Sequence, residues 1–252
     1  MPLTDLTFVQ VPPGTFQRPR SDDQARQTVN ITKPVQWSTM PVTAGLYRAY
    51  RTATGHTDDP QLEIWDGEWR PGPTFSQANV HGDDVPVVGT SYPDALAFIA
   101  WLSQRDSRPY RLPTEAEFEY ALRDGCTVDC GSTCVPSRKH TTSEWPAAFL
   151  ACWSTATLKP NGYGIHALNG VIWYWCSDWY APYPDLQNLN DPRGPQSQPN
   201  SSQWKGRTLP AGRVIRGGSF SYSQSYGACT NRHFSLPADR NVNLGFRVVC
   251  DA

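Results

Sequence analysis

The apolar positions change period several times along the chain, and each period predicts an element. Residues 6–11 read as a strand, with Pro12-Pro13-Gly14 as its turn. Residues 18–27 are polar and predict a surface loop, and 29–35 predict a second strand. Between Met40 and Gly55, Leu46, Tyr47 and Tyr50 fall on one face, with Thr43 as N-cap and Gly55 as stop, which predicts a helix. Residues 56–85 lack a period and are rich in Asp, Gly and Pro, with Trp65, Trp69 and Phe75 expected to cover the core.

The next helix is signalled more fully. Ser91 caps it, Pro93 opens it, Asp94 closes a capping box, and Ala95, Phe98, Ile99 and Leu102 form one stripe. A third follows, with Thr114 and Glu117 as capping box, Phe118, Ala121 and Leu122 inward, and Gly125 at its end. Its acids Glu115, Glu117 and Glu119 could serve as general acids or metal ligands. Acids in a first turn more often answer the helix dipole and free amides, and that is the expectation here. Residues 171–176 carry apolar residues on both alternating faces, which predicts a buried strand, and His166 beside it is expected to be a structural histidine. Residues 184–212 read as a long Pro-, Asn- and Gln-rich connection.

The stretch 213–250 departs from this pattern. Val214-Ile215 before Gly217-Gly218 and Phe246-Arg247-Val248-Val249 at its far end read as strands. Between them no period holds, yet Phe220, Tyr222, Tyr226, His233, Phe234 and Leu236 are present. Long loops in compact domains are usually functional or disordered, and disordered segments are poor in aromatics. Aromatic and small polar residues side by side are the composition of recognition loops. Two framework strands are therefore expected to hold a loop that meets a partner.

Composition narrows the picture. The 252 residues allow one large domain or two. A net charge of −1 and a pI near 6.5 argue against nucleic acid as partner. No apolar run reaches membrane-span length, and the N-terminus shows no signal peptide, so a cytoplasmic protein is the default unless a partner displays it. Ten Trp, 23 Pro and 19 Gly point to a loop-rich globular chain with aromatic packing. Seven cysteines leave at least one unpaired or shared. Cys126, Cys130 and Cys134 with His140 have zinc-type ligands at a non-standard spacing, so disulfides or buried thiols are expected ahead of a metal.

Blocks of the sequence resemble a known family. PVVGTSYPDALAFIAWLSQRDSRPYRLPTEAEFEYALRDG, GVIWYWCSDWY, DPRGP, RVIRGGSF and NLGFRVV occur in that order, after VPPGTF and MPVTAGLYRAY. They resemble the formylglycine-generating enzyme, or sulfatase-modifying factor, family over nearly the whole chain. The resemblance implies an α+β, C-type-lectin-like fold of the formylglycine-generating-enzyme type, rich in irregular loops, as a single domain over 1–252. In that family two cysteines hold copper to oxidise a peptide cysteine. Their positions here are Tyr222 and Gly227, neither of which ligates copper, and Cys229 nearby is one thiol. Catalysis by that chemistry is therefore not expected. Tyr174 stands where the family's calcium site usually has Glu, which leaves calcium open.

A second resemblance covers the region at about 213–250. It resembles the variable region of diversity-generating retroelement proteins, many of which share this fold. Arg216, Ser219, Arg232, Pro237, Arg240, Gly245 and Phe246 match their frame. The resemblance implies mutagenised ligand-binding positions at Ser221, Tyr222, Ser223, Tyr226, His233, Phe234, Ser235, Leu236, Asp239, Val242 and Asn243, whose residue types fit substituted Asn codons. Tyr222, Tyr226, His233 and Phe234 are the expected anchors. The competing reading is that some of these aromatics pack under the loop. The chain is thus expected to be a non-catalytic binder of a protein or cell-surface ligand, monomeric and without a cofactor. The alternatives are a metal-dependent oxidase of the same fold and a scaffold module with a fixed interface.

Overall fold

A computed structural model describes residues 5–19, 26–65, 68–126, 146–156, 159–204, 206–221, 226 and 228–252. The strands are β1 (Phe8–Val11), β2 (Gly14–Pro19), β3 (Arg26–Ile31), β4 (Val35–Ser38), β5 (Gln61–Trp65), β6 (Trp69–Thr74), β7 (Tyr110–Arg111), β8 (Trp173–Trp179), β9 (Asn188–Asn190), β10 (Ser202–Trp204), β11 (Arg207–Leu209), β12 (Arg213–Arg216), β13 (His233–Ser235), β14 (Leu244–Gly245) and β15 (Val249–Asp251). The helices are α1 (Ala44–Thr54), α2 (Phe75–Ala78), α3 (Tyr92–Asp106), α4 (Glu115–Arg123) and α5 (Ala147–Ala156). The architecture is mixed α+β, mostly strands and loops. Among the described residues no helix is long and apolar enough to cross a membrane.

The three helices with predicted caps, α1, α3 and α4, start where those caps stand. Thr43 accepts from the Leu46 amide, Ser91 and Asp94 exchange bonds at α3, and Thr114 and Glu117 do so at α4. Gly55 ends α1 in the left-handed region, whereas Asp124, one residue before Gly125, takes that role in α4. Leu122 is only half-buried.

Two sheets position everything else. One runs β1-β4-β15-β7 and the other β13-β12-β8-β14. β8 lies between β12 and β14, and Trp173, Tyr174, Trp175 and Cys176 are all buried, as expected of a central strand covered on both faces. The predicted closing strand over 246–249 is divided instead. Leu244 and Gly245 pair in parallel with β8, and Val249 to Asp251 pair with β4 and β7 in the other sheet. Residues 246–248 cross between the sheets and are fully buried. Phe246 there meets Phe98 at 5.3 Å and Tyr47 at 6.3 Å between ring centroids, tying the crossing to α3 and α1.

Five expectations need correction. Of the surface loop expected at 18–27, residues 20–25 lie outside the described residues, and its ends belong to strands instead: Arg18 and Gln27 pair across β2 and β3 and both are buried. Arg18 is covered by the Tyr183 ring, 3.5 Å from its guanidinium, so its charge did not mark it as exposed. The strand predicted at 29–35 is two strands with a turn between them, β3 ending at Ile31 and β4 starting at Val35. The stretch 56–85 contains the hairpin β5–β6 and the capped turn α2, and 184–212 contains β9, β10 and β11. Phe75 does enter the core, but Trp65 and Trp69 stay exposed on the hairpin.

Candidate functional site

The recognition stretch leaves β12 through Gly217 and Gly218, both with positive φ (99° and 68°). A Cβ at Gly217 would lie 2.7 Å from the Leu168 carbonyl oxygen and 3.0 Å from the Tyr174 ring. Gly217→Ala should therefore cost about 2 kcal/mol, from backbone strain plus displacement of buried neighbours. Urea denaturation measures this, and a cost near zero would show that the turn is not needed.

Beyond that turn, arginines hold the loop. Arg216, fully buried, donates from Nη2 to the Cys229 carbonyl at 2.6 Å and from Nη1 to that of Asn231. The same guanidinium lies 3.0 Å from Glu119 and 3.9 Å from Glu115. Arg232 makes a two-pronged pair with Glu115, at 2.8 Å and 2.7 Å, and donates to the Ala181 carbonyl at 2.7 Å. Arg240 pairs with Asp94 in the first turn of α3. In α3 the capping acid Asp94 itself receives Arg240, whereas in α4 the capping acid Glu117 pairs with Arg111 and its neighbours Glu115 and Glu119 receive Arg232 and Arg216. Glu115 feels burial pushing its pKa up, but Arg232 and Arg216 outweigh it and hold the carboxyl at about 2.

The predicted ligand-binding positions divide by place. Tyr226 and His233 are half-buried, with ring centroids 6.3 Å and 5.7 Å from that of buried Trp173. Phe234 is 9% exposed and packs on Tyr180 at 4.8 Å, so most of this anchor lies under the loop. Leu236 and Asp239 are half-exposed. Asp239 accepts from Ser235 Oγ at 2.6 Å and from the Leu236 amide at 2.7 Å, which fixes the local turn and buries Ser235. Ser221 and Asn243 are inside: Asn243 Nδ2 donates to Ser219 Oγ at 3.1 Å and Ser221 Oγ at 2.9 Å. Val242, 1% exposed, sits in the core and offers no side-chain surface. Tyr222, Ser223 and Gly227 lie outside the described residues.

A cleft that the sequence did not signal lies beside the arginine frame. It encloses about 290 Å³ and is lined by Arg18, Glu115, Asp178, Tyr183, Arg193 and Arg232 among others. Asp178 accepts from the Glu115 amide at 2.9 Å and the Gly194 amide at 2.6 Å. Burial, then the charge of Glu115, raises its pKa to about 6. Only the residues of three distant blocks taken together could have found this place, because each looks like a structural motif alone.

The remaining chemistry-bearing groups are inward. Among the described residues Cys126, Cys152, Cys176, Cys229 and Cys250 are not in disulfides. Burial raises the thiol of Cys176 well above its ordinary value and that of Cys152 to about 11, so neither is a thiolate at neutral pH. Cys130, Cys134 and His140 lie outside the described residues. Among the described residues no three His, Cys, Asp or Glu side chains group as metal ligands. Tyr174 is fully buried and donates to the Ala167 carbonyl at 2.5 Å, so it serves the core. The His166 carbonyl accepts from Arg247, which also donates to the Ser38 carbonyl at 3.0 Å.

The sequence profile described as sulfatase-modifying factor enzyme 1-like domain matches residues 3–252. The chain belongs to that family. The formylglycine-generating enzyme of Streptomyces coelicolor is 27% identical, over 97% of this chain and 89% of its own length. The mouse enzyme is 29% identical over 75% of this chain, and the chain spans about half (50%) of the mouse protein. Among solved structures, PvdO from Pseudomonas aeruginosa superposes with a TM-score of 0.73 at 23% identity, covering 97% of this chain and 94% of PvdO. Treponema denticola variable protein 1 superposes with a TM-score of 0.68 at 23% identity, covering 98% and 95%. This sulfatase-modifying factor domain therefore has the C-type-lectin-like fold expected from the resemblance, shared with PvdO and with a variable protein.

Proposed function

We propose that this domain is a non-catalytic ligand-binding protein that displays a diversified surface between β12 and β14 to a protein or cell-surface ligand. The observation that carries this reading is the division of roles within 216–243. Arg216, Arg232 and Arg240 anchor the backbone to acids of α3 and α4, while Tyr226, His233, Leu236 and Asp239 lie between them with side chains part-exposed. A backbone held from elsewhere tolerates side-chain replacement. Half-exposed rings on a rigid sheet give contact area at low entropic cost. The reading requires no cofactor.

The formylglycine-generating enzymes among its relatives support a second reading, a metal-dependent oxidase. Tyr222 and Gly227 stand at the positions of the copper-holding thiols, which weighs against it. Copper content and peptide-cysteine oxidation by the purified chain separate the two readings.

The test of the binder is the sequence of residues 213–250 across a population of the source organism. Substitutions should concentrate at Tyr226, His233, Leu236 and Asp239, with the arginine and glycine frame constant. Val242 and Asn243 should change less than these four, because each change there enters the core or removes a donor that two buried hydroxyls share. Equal variability at frame and loop positions would end the proposal.

A further inference from the structure

The hairpin β5–β6 carries two of the five exposed large hydrophobic side chains among the described residues, Trp65 at 39% and Trp69 at 53%. They are directly opposite across the strands, with ring centroids 5.1 Å apart and planes inclined by 59°. Alternation along β5 turns Leu62 into the core, fully buried, and leaves Glu63 and Trp65 on the outer face. Pro71 lies opposite Glu63, so the outer face reads acid and proline, then two indoles.

The hairpin is bound to the recognition stretch through its backbone. The Glu63 amide donates to the Arg240 carbonyl at 2.8 Å, and the Val242 amide donates to the Glu63 carbonyl at 3.2 Å. Its outer face therefore starts where the loop ending in Asp239 and Arg240 stops. Glu63 and Asp239 are close enough that the charge of Asp239, after partial burial, raises the Glu63 carboxyl. Nearby guanidiniums are committed elsewhere, Arg240 to Asp94 and Arg70 to Glu68. Glu63 has no ion pair among the described residues. The hairpin segment Glu63-Ile64-Trp65-Asp66-Gly67-Glu68-Trp69-Arg70 holds three acids and one base, Arg70, which is paired with Glu68.

We propose that this face binds a lysine or arginine side chain of a protein partner, with Trp65 and Trp69 contacting the cation and Glu63 neutralising it. Indole is the strongest of the aromatic partners for a cation, and a carboxylate beside it supplies the complementary charge. The inference rests on the ligand-binding reading for the partner being a protein. It extends the binding surface onto a part of the chain that diversification at 221–243 leaves constant. One half of the surface would then select partners by shape, and the other would hold a basic side chain common to them.

The experiment uses the full chain labelled with 5-fluorotryptophan and observed by ¹⁹F NMR, with the two resonances assigned through Trp65→Phe and Trp69→Phe. The probes are a tetralysine peptide and the same peptide acetylated on every Nε. The tetralysine peptide should shift both resonances saturably, and the acetylated one should not. Glu63→Gln should weaken the response roughly threefold, the effect of one exposed charge pair, with the unfolding midpoint unchanged. Absence of a shift overturns the proposal, as does an equal shift from both peptides, which would make the face merely apolar. Resonances that move with protein concentration alone overturn it in favour of a second copy of the chain. Population sequencing reports independently: peptide binding with an invariant 221–243 would sink the diversified surface and leave the cation site standing.

Discussion

Glu119→Gln is expected to lower stability by about 3–5 kcal/mol, the cost of leaving buried charge without its partner. Glu119 is 1% exposed and stands among three guanidiniums: Arg123 at 2.7 Å, Arg216 at 3.0 Å and Arg18 at 3.9 Å. Arg123 is as buried as Glu119 and lies over the Phe16 ring, so it has no route to water. The amide keeps the shape and removes the charge, which isolates the electrostatic contribution. Urea denaturation at constant slope gives the value, and a loss under about 1 kcal/mol would refute the account. Glu119→Met with Arg123→Met should recover part of the loss, since a buried pair can be replaced by apolar groups when both partners go. A second readout bears on function. Arg216 holds the Cys229 and Asn231 carbonyls, so hydrogen exchange at 229–232 should quicken in Glu119→Gln before global unfolding.

The second large effect is with pH, and it changes sign. Asp178 titrates at about 6 in the fold against an ordinary 3.8. Its folded form binds the proton more readily than its unfolded form. Acidification through the window between those values therefore adds stability, up to about 3 kcal/mol. Glu115 behaves oppositely, at about 2 in the fold against an ordinary 4.5. Its stabilisation is complete above the ordinary value and is lost as pH falls towards the folded one, again about 3 kcal/mol. Stability should thus rise from neutral pH, pass a maximum where the two windows overlap, between the ordinary values 3.8 and 4.5, and then fall steeply. Unfolding midpoints from about pH 7.5 to 2.5 measure the curve. Asp178→Asn should abolish the rise and leave the fall, and a monotonic decline in the unsubstituted chain would contradict the assignment.

The sequence was most legible where structure is local. Ser91, Thr114 and Thr43 found their helices because a cap acts within four residues of itself. The aromatic stretch 171–176 was read as a covered strand for the same reason. Long-range partnership was not legible. Arg18 looked solvated because the ring over it, Tyr183, is far along the chain. Glu115 looked like a dipole acid, and only the fold brings Arg232 to it. Within the recognition stretch, residue type alone did not separate exposed from buried. Val242 and Asn243 suit a variable loop by composition, but the approach of β14 to β8 places them inside. The exposed Trp pair was missed in the opposite sense, because bulk predicts burial and a hairpin tip defeats that rule.

The division of the closing segment between two sheets also bears on the order in which the protein assembles during synthesis. β4 emerges early, with β1 on one side and the other side bare, and its second neighbour β15 emerges only after the recognition stretch has been made. Neither sheet is whole until that moment, so the barrier to folding is dominated by a late, long-range closure. The entropy of such a closure depends on how many residues intervene and only weakly on which they are. Replacement of the part-exposed side chains Tyr226, His233, Leu236 and Asp239 at constant length should therefore leave the folding rate nearly unchanged.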